Sequence, residues 1–139
     1  MVDLVGTCPK DFWHEWIAEG DPAGTAESGE EWGWYTRHSF ARMIKPGDRF
    51  YVVAWGQLRG YAPVTRVQGD GSDNSGYVIC RRGGAVACTI DKPIPGFRGL
   101  EKRWWSRDDE RPFPDWQTAG VGVKAPKAIK PAQADLLAR

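Results

Sequence analysis

Histidine and cysteine are scarce in this chain: two His and three Cys in 139 residues. The cysteines show no Cys-x-x-Cys pair, and no His-Glu-x-x-His appears. This spacing argues against a zinc or other metal site. An odd cysteine count also argues against a disulfide framework, so a reducing, cytoplasmic setting is expected. No apolar run approaches the roughly 18 residues that cross a bilayer. The opening Met1-Val2-Asp3-Leu4 lacks the basic and apolar regions of a secretory leader. Neither a P-loop nor a Gly-x-Gly-x-x-Gly fingerprint is present, and no cofactor is expected. A dense cationic field is missing too. The formal net charge is only +1, too little to hold bulk duplex by counterion release.

What the chain has in excess is tryptophan, with eight indoles in four clusters: Trp13 and Trp16, Trp32 and Trp34, Trp55, then Trp104, Trp105 and Trp116. Several stand beside arginine, Trp34 near Arg37 and the Trp104–Trp105 pair between Arg103 and Arg107. A flat indole beside a guanidinium suits stacking on planar, electron-rich ligands, of which nucleobases are the commonest. The alternative is that these rings fill the core and rim of a small β-rich domain. Charge is distributed unevenly. Residues 11–31 hold seven acids and no Lys or Arg, whereas residues 118–139 hold Lys124, Lys127, Lys130 and Arg139 against Asp135.

Seventeen Gly and ten Pro favour short strands and turns over a helical bundle. Leu4–Thr7 reads as a strand. Residues 10–19 carry Phe12, Trp13, Trp16 and Ile17 at helical spacing, after Pro9. Residues 31–36 suit a short strand or an aromatic loop, and 37–44 about two turns of helix. Lys45-Pro46-Gly47-Asp48 is a turn signal. It leads into 49–55, a strand apolar on both faces and therefore expected to be covered on both. Residues 58–67 continue as a strand in which Gly60 and Pro63 mark a bulge or an edge. Residues 68–76 form a polar loop. Residues 77–82 and 85–90 are predicted to pair as a hairpin about Gly83-Gly84, with Cys80 and Cys88 core-facing or neighbours across it. Leu100 and Trp104, one turn apart, suggest a short helix over 100–107. Residues 111–116 form a Pro-rich wrap. The sum is a mainly β, α+β domain over 1–117: a small barrel of five to six strands plugged by two or three short helices. A basic, flexible tail is expected over 118–139, with order confined to 132–138.

Four stretches carry a resemblance: Thr7-Cys8-Pro9, Trp34-Tyr35-Thr36-Arg37-His38-Ser39-Phe40-Ala41-Arg42, Lys45-Pro46-Gly47-Asp48-Arg49-Phe50-Tyr51-Val52, and Leu58-Arg59-Gly60-Tyr61-Ala62-Pro63-Val64. In this order they resemble the PUA-like superfamily and, within it, the EVE and ASCH domains, over roughly residues 4–67. The resemblance implies a pseudo-barrel whose cleft accepts a nucleotide base, often a modified one. Trp32, Trp34 and Tyr35 would then supply the stacking face. Arg37, His38 and Ser39 would bond the base edge or a phosphate, and Arg42, Arg98, Lys102 and Arg103 would form a phosphate rim. The Gly-x-Lys-x-x-Glu-x-Arg signature of many ASCH domains is absent, which argues against their hydrolase and nuclease activities.

Other candidates have plainer readings. Cys8 at a helix start, paired with His38 or His14, has the makings of a nucleophile, but a small buried hydrophobe beneath the helix is the favoured reading. His14 falls on a polar helix face. Glu30 and Glu31 are carboxylates near the aromatic stretch, and Asp48 suits a turn. The favoured function is a non-catalytic module that binds nucleic acid or a nucleotide, RNA or DNA, with no membrane partner. A small nucleotide- or RNA-directed hydrolase on the same scaffold, and a protein-interaction module with a Trp-rich patch, stand as alternatives.

Overall fold

A computed structural model describes residues 1–12, 25–69 and 76–122. Six strands form one curled, half-barrel sheet. They are β1 (Leu4–Thr7), β2 (Trp32–Thr36), β3 (Arg49–Ala54), β4 (Gln57–Gln68), β5 (Tyr77–Arg81) and β7 (Leu100–Lys102), in the order β2-β5-β4-β3-β1-β7. β1 runs parallel to β3, and the other pairings are antiparallel. Two short strands, β6 (Cys88–Thr89) and β8 (Arg111–Pro112), pair beside it. Helical structure among the described residues is limited to 3₁₀ turns at Lys10–Phe12, Ser39–Arg42 and Arg107–Asp109, so the two turns of helix expected over 37–44 shrink to one, begun by the His38 cap and ended at Met43. The rest of the helix expected over 10–19, His14, parts of the loops at 21–29 and 68–76, and the tail beyond 122 lie outside the described residues.

Strand β3 organises two cores because its side chains alternate between faces. Phe50, Val52 and Ala54 join Leu4, Val64, Ile79, Leu100 and Trp116 on the concave side. Tyr51 and Val53 join Val5, Leu58, Cys88, Ile94 and Trp105 on the convex side. The double cover read from the sequence is therefore present, and each β3 residue after Arg49 is buried. The β3–β4 hairpin closes through Trp55 and Gly56, both at positive φ (53° and 76°). Two-residue turns of that type suit right-twisted strands. An indole there costs about 1 kcal/mol where Asn or Gly would not.

The pairing skips from Val52↔Gly60 to Val53↔Leu58, so Arg59 bulges out of register. Bulges re-aim side chains, and this one turns Arg59 fully inward. Its guanidinium donates to the carbonyls of Ala54 (2.8 Å), Trp55 (3.5 Å) and Trp116 (3.3 Å). Burial pulls its pKa down to about 10. Gly60 is required beside it, because a Cβ would stand 2.4 Å from the Val86 carbonyl oxygen.

Two expected elements are absent. Residues 85–90 do not return along β5, because β2 and β4 already occupy both of its edges. The chain crosses instead to β4, where Val86 bridges Tyr61, and then pairs with β8. Cys80 and Cys88 are both buried, but they are not neighbours on one hairpin. Residues 100–107 are not a helix. The outer edge of β1 captures 100–102 as a strand, which sends Leu100 to the concave core. Trp105 goes to the convex core and Trp104 to solvent. Beyond the wrap, turns continue through Thr118–Ala119 to Val121, which packs on the concave core. None of the helices formed by the described residues is long and apolar enough to cross a membrane.

Candidate functional site

Edge strand β2 alternates. Trp32, Trp34 and Thr36 turn toward the sheet interior, while Gly33 and Tyr35 face out. Trp34 is half-buried. Its ring lies 5.3 Å from Phe50, tilted by 54°, across the mouth of the curl. Gly6 on β1 permits that reach, since a Cβ there would sit 3.0 Å from both rings. Tyr35 is 56% exposed. Trp34 is thus neither an open platform nor a fully sealed core residue. Trp32 is half-buried near the start of the strand.

The bend after β2 is built from side-chain caps. Thr36 Oγ1 accepts from the His38 backbone N–H at 3.0 Å, and His38 Nδ1 accepts from the Phe40 N–H at 3.1 Å. His38 thereby caps the Ser39–Arg42 turn. A neutral imidazole that accepts at Nδ1 carries its proton on Nε2, so the site presents a donor at that nitrogen. The ring packs on Phe40 (4.2 Å, 47°), and Gly99 lies beside it. The 3₁₀ turn packs on both β5 and β7.

Cations gather around this turn. Arg37 Nε donates to Tyr35 Oη at 3.1 Å, Arg42 Nε donates to Tyr77 Oη at 2.6 Å, and Lys102 Nζ sits 5.2 Å above the Phe40 ring. Arg98 is exposed one residue before Gly99, on a loop held to the end of β1 by the Phe97 N–H bond to Thr7 Oγ1 (3.1 Å). Ser39 is exposed at the start of the turn. Among the described residues, Arg37, Arg98 and Lys102 have no ion-pair partner.

Arg103 does not join that group. Its Nε lies 3.0 Å from Asp3 Oδ2, and its Nη1 donates to the Trp105 carbonyl. Arg107 holds the same carboxylate at 2.8 Å, and the Arg49 N–H donates to Asp3 Oδ1 at 3.0 Å. Burial raises the Asp3 pKa, but the bonds from Arg107, the Arg49 backbone and Arg103 outweigh it and hold it below its ordinary value.

The described nucleophile and acid–base candidates other than Glu30 are engaged by groups of their own. Cys8 is buried, with its N–H on Val53 O (2.8 Å) and its thiol 3.4 Å from Pro9 O, and His38 is held by Phe40 and Thr36 instead. Glu31 chelates Arg66 at 2.8 and 2.9 Å on the surface, while Glu30 is exposed. Asp48 closes its turn by accepting from the Lys45 N–H (3.0 Å) and also receives the Val2 N–H (3.3 Å). No group of three His, Cys, Asp or Glu among the described residues is placed to hold a metal.

Sequence reasoning missed a second polar cluster on the convex side. Glu110 accepts from Trp105 Nε1 (2.8 Å), Tyr51 Oη (2.6 Å) and Arg49 Nη1 (3.2 Å). Burial, then the bond to Glu110, pushes the Tyr51 phenol well above its usual range. Cys88 beside it is pushed up to about 12, by burial first and then by Glu110. The available signal was Arg49 and Tyr51 inside an apolar strand, since polar groups buried there require partners. Comparison with protein-family models, curated proteins and solved structures gives no match.

Proposed function

We propose that this chain is a PUA-like, EVE/ASCH-type barrel that binds nucleic acid or a nucleotide without catalysing a reaction on it. The ligand face is the β2 edge and the turn after it. A base, modified or not, stacks against Tyr35 on the outer face of β2, while Trp32 and Trp34, on the opposite face of the same strand, back it. The fixed Nε2–H of His38 and the Ser39 hydroxyl address its edge. Arg37, Arg98 and Lys102, with Arg42 beside them, meet phosphate.

One observation carries the reading. Arg37, Arg98 and Lys102 border half-buried and exposed rings without a carboxylate partner among the described residues, whereas Arg49, Arg66, Arg103, Arg107 and Arg111 each hold one. Unneutralised cations beside aromatic faces suit an anionic ligand with a planar group. Quenching of tryptophan fluorescence by single-stranded oligonucleotides tests it. Three phosphate contacts on a single strand predict a slope of log K against log salt of about −2. Absence of quenching at low salt, or a flat salt dependence, overturns the reading.

A further inference from the structure

Away from the proposed ligand face, an open groove of about 870 Å³ runs between the 90–95 segment and the 104–111 segment on the convex side. Ile94 and Pro95 form one wall. Trp104, 55% exposed, stands on the other, stacked edge-on to Trp105 (5.0 Å, 86°) and Phe97 (6.1 Å, 69°). A large apolar ring exposed beside a groove is a feature of recognition surfaces. Asp108 and Asp109 line the groove without an ion-pair partner among the described residues, against one lining lysine, Lys92, while the lining Arg111 is spoken for by Asp91. A groove combining an indole with spare carboxylates suits an extended chain bearing ammonium groups: the carboxylates take the charge, and the ring takes the methylene stem and its cation.

The chain itself supplies such a segment. Residues 123–132 read Val-Lys-Ala-Pro-Lys-Ala-Ile-Lys-Pro-Ala, three lysines with two prolines and no acid. The described residues just before this segment lie close to the groove. Gly120 lies against the Trp55 carbonyl, and the next carbonyl, Gly56 O, accepts the N–H of the groove residue Ile94 at 2.9 Å. Gly120 and Ile94 therefore flank one turn. Ten extended residues span about 33 Å, ample reach along the groove.

We propose that the groove is the docking site of this chain's own segment 123–132, with lysines of the segment set against Trp104, Asp108 and Asp109. The contact closes within one molecule. It shields the lysines while docked and frees them when salt or a competing polyanion weakens the pairing.

The indole N–H resonance of Trp104 in the full chain, identified by its loss in Trp104→Phe, reports occupancy. Lys124→Ala/Lys127→Ala/Lys130→Ala should move this resonance, and Asp108→Asn/Asp109→Asn should move it the same way. Combining the five substitutions should add nothing further, the mark of one shared interaction. Raising NaCl from about 50 to about 500 mM should reproduce the shift in the native chain and leave the lysine variant unmoved. A resonance at one position in the native chain and the lysine variant overturns the proposal. So does a lysine-dependent shift that grows with protein concentration, because the occupant is then a second copy.

Discussion

Two regions of this half-barrel combine aromatic rings with arginine, and they differ in what the arginines face. On the convex side, Arg49, Arg103 and Arg107 converge on Glu110 and Asp3, and the Trp105 indole N–H ends on the same glutamate. At the β2 edge, among the described residues, Arg37 reaches a tyrosine hydroxyl and Lys102 a phenyl face. In sequence the two regions look alike, a tryptophan with an arginine nearby. The partner carboxylate marks the convex arginines as structural and is what the proposed ligand face lacks among the described residues, and Asp3 reaches Arg103 across 100 residues of chain. Adjacency of Trp and Arg is therefore a weak sign of a binding face until the acids are placed.

Breaking the convex cluster should have the largest effect. Glu110→Ala strands a half-buried arginine, a buried phenol and an indole N–H, and should cost about 3 kcal/mol of unfolding free energy in urea melts. Asp3→Asn should cost about 2 kcal/mol at neutral pH. Because the folded-state pKa of Asp3 is depressed, its contribution is full above the unfolded value near 3.9 and disappears as pH falls through the folded value. The gap between wild type and Asp3→Asn should accordingly close on acidification; a gap that persists at low pH shows that the carboxylate charge is not the cause. His38→Ala removes a cap and should cost about 1 kcal/mol, while also weakening oligonucleotide binding. Smallest in stability is Arg37→Ala, expected within about 0.5 kcal/mol of wild type yet several-fold weaker in fluorescence-detected binding. If Arg37→Ala instead lowers the melting temperature as Asp3→Asn does, the two regions are alike and the ligand face is lost.

The strands that were legible carried local signals strong enough to stand alone. The Lys45–Asp48 turn and the two-faced apolar run after it fix β3, and the Gly60 irregularity is where the bulge lies. Illegible parts depended on competition for sheet edges. Gly83-Gly84 has hairpin chemistry, yet β5 has no edge left to offer. Leu100 and Trp104 have helical spacing, yet β1 has a vacant edge that 100–102 fills. In the proposed ligand face, the residues from Trp34 to Arg42 stay together because they are contiguous and their caps are local, although the caps themselves and the 3₁₀ turn at Ser39–Arg42 were not legible. Arg98 and Lys102 arrive beside it through the β1–β7 pairing, which no short motif announces. Arg103, one residue further along, faces Asp3 instead.

The inward turn of Arg59 has a mechanical consequence. One side chain grips carbonyls at both ends of the sequence gap between Trp55 and Trp116, riveting the final wrap of the chain to the hairpin tip on which β3 and β4 reverse. Strain or a nick introduced at the wrap should be felt first at that tip, some 60 positions earlier in the sequence, so the two ought to loosen together rather than fray one by one.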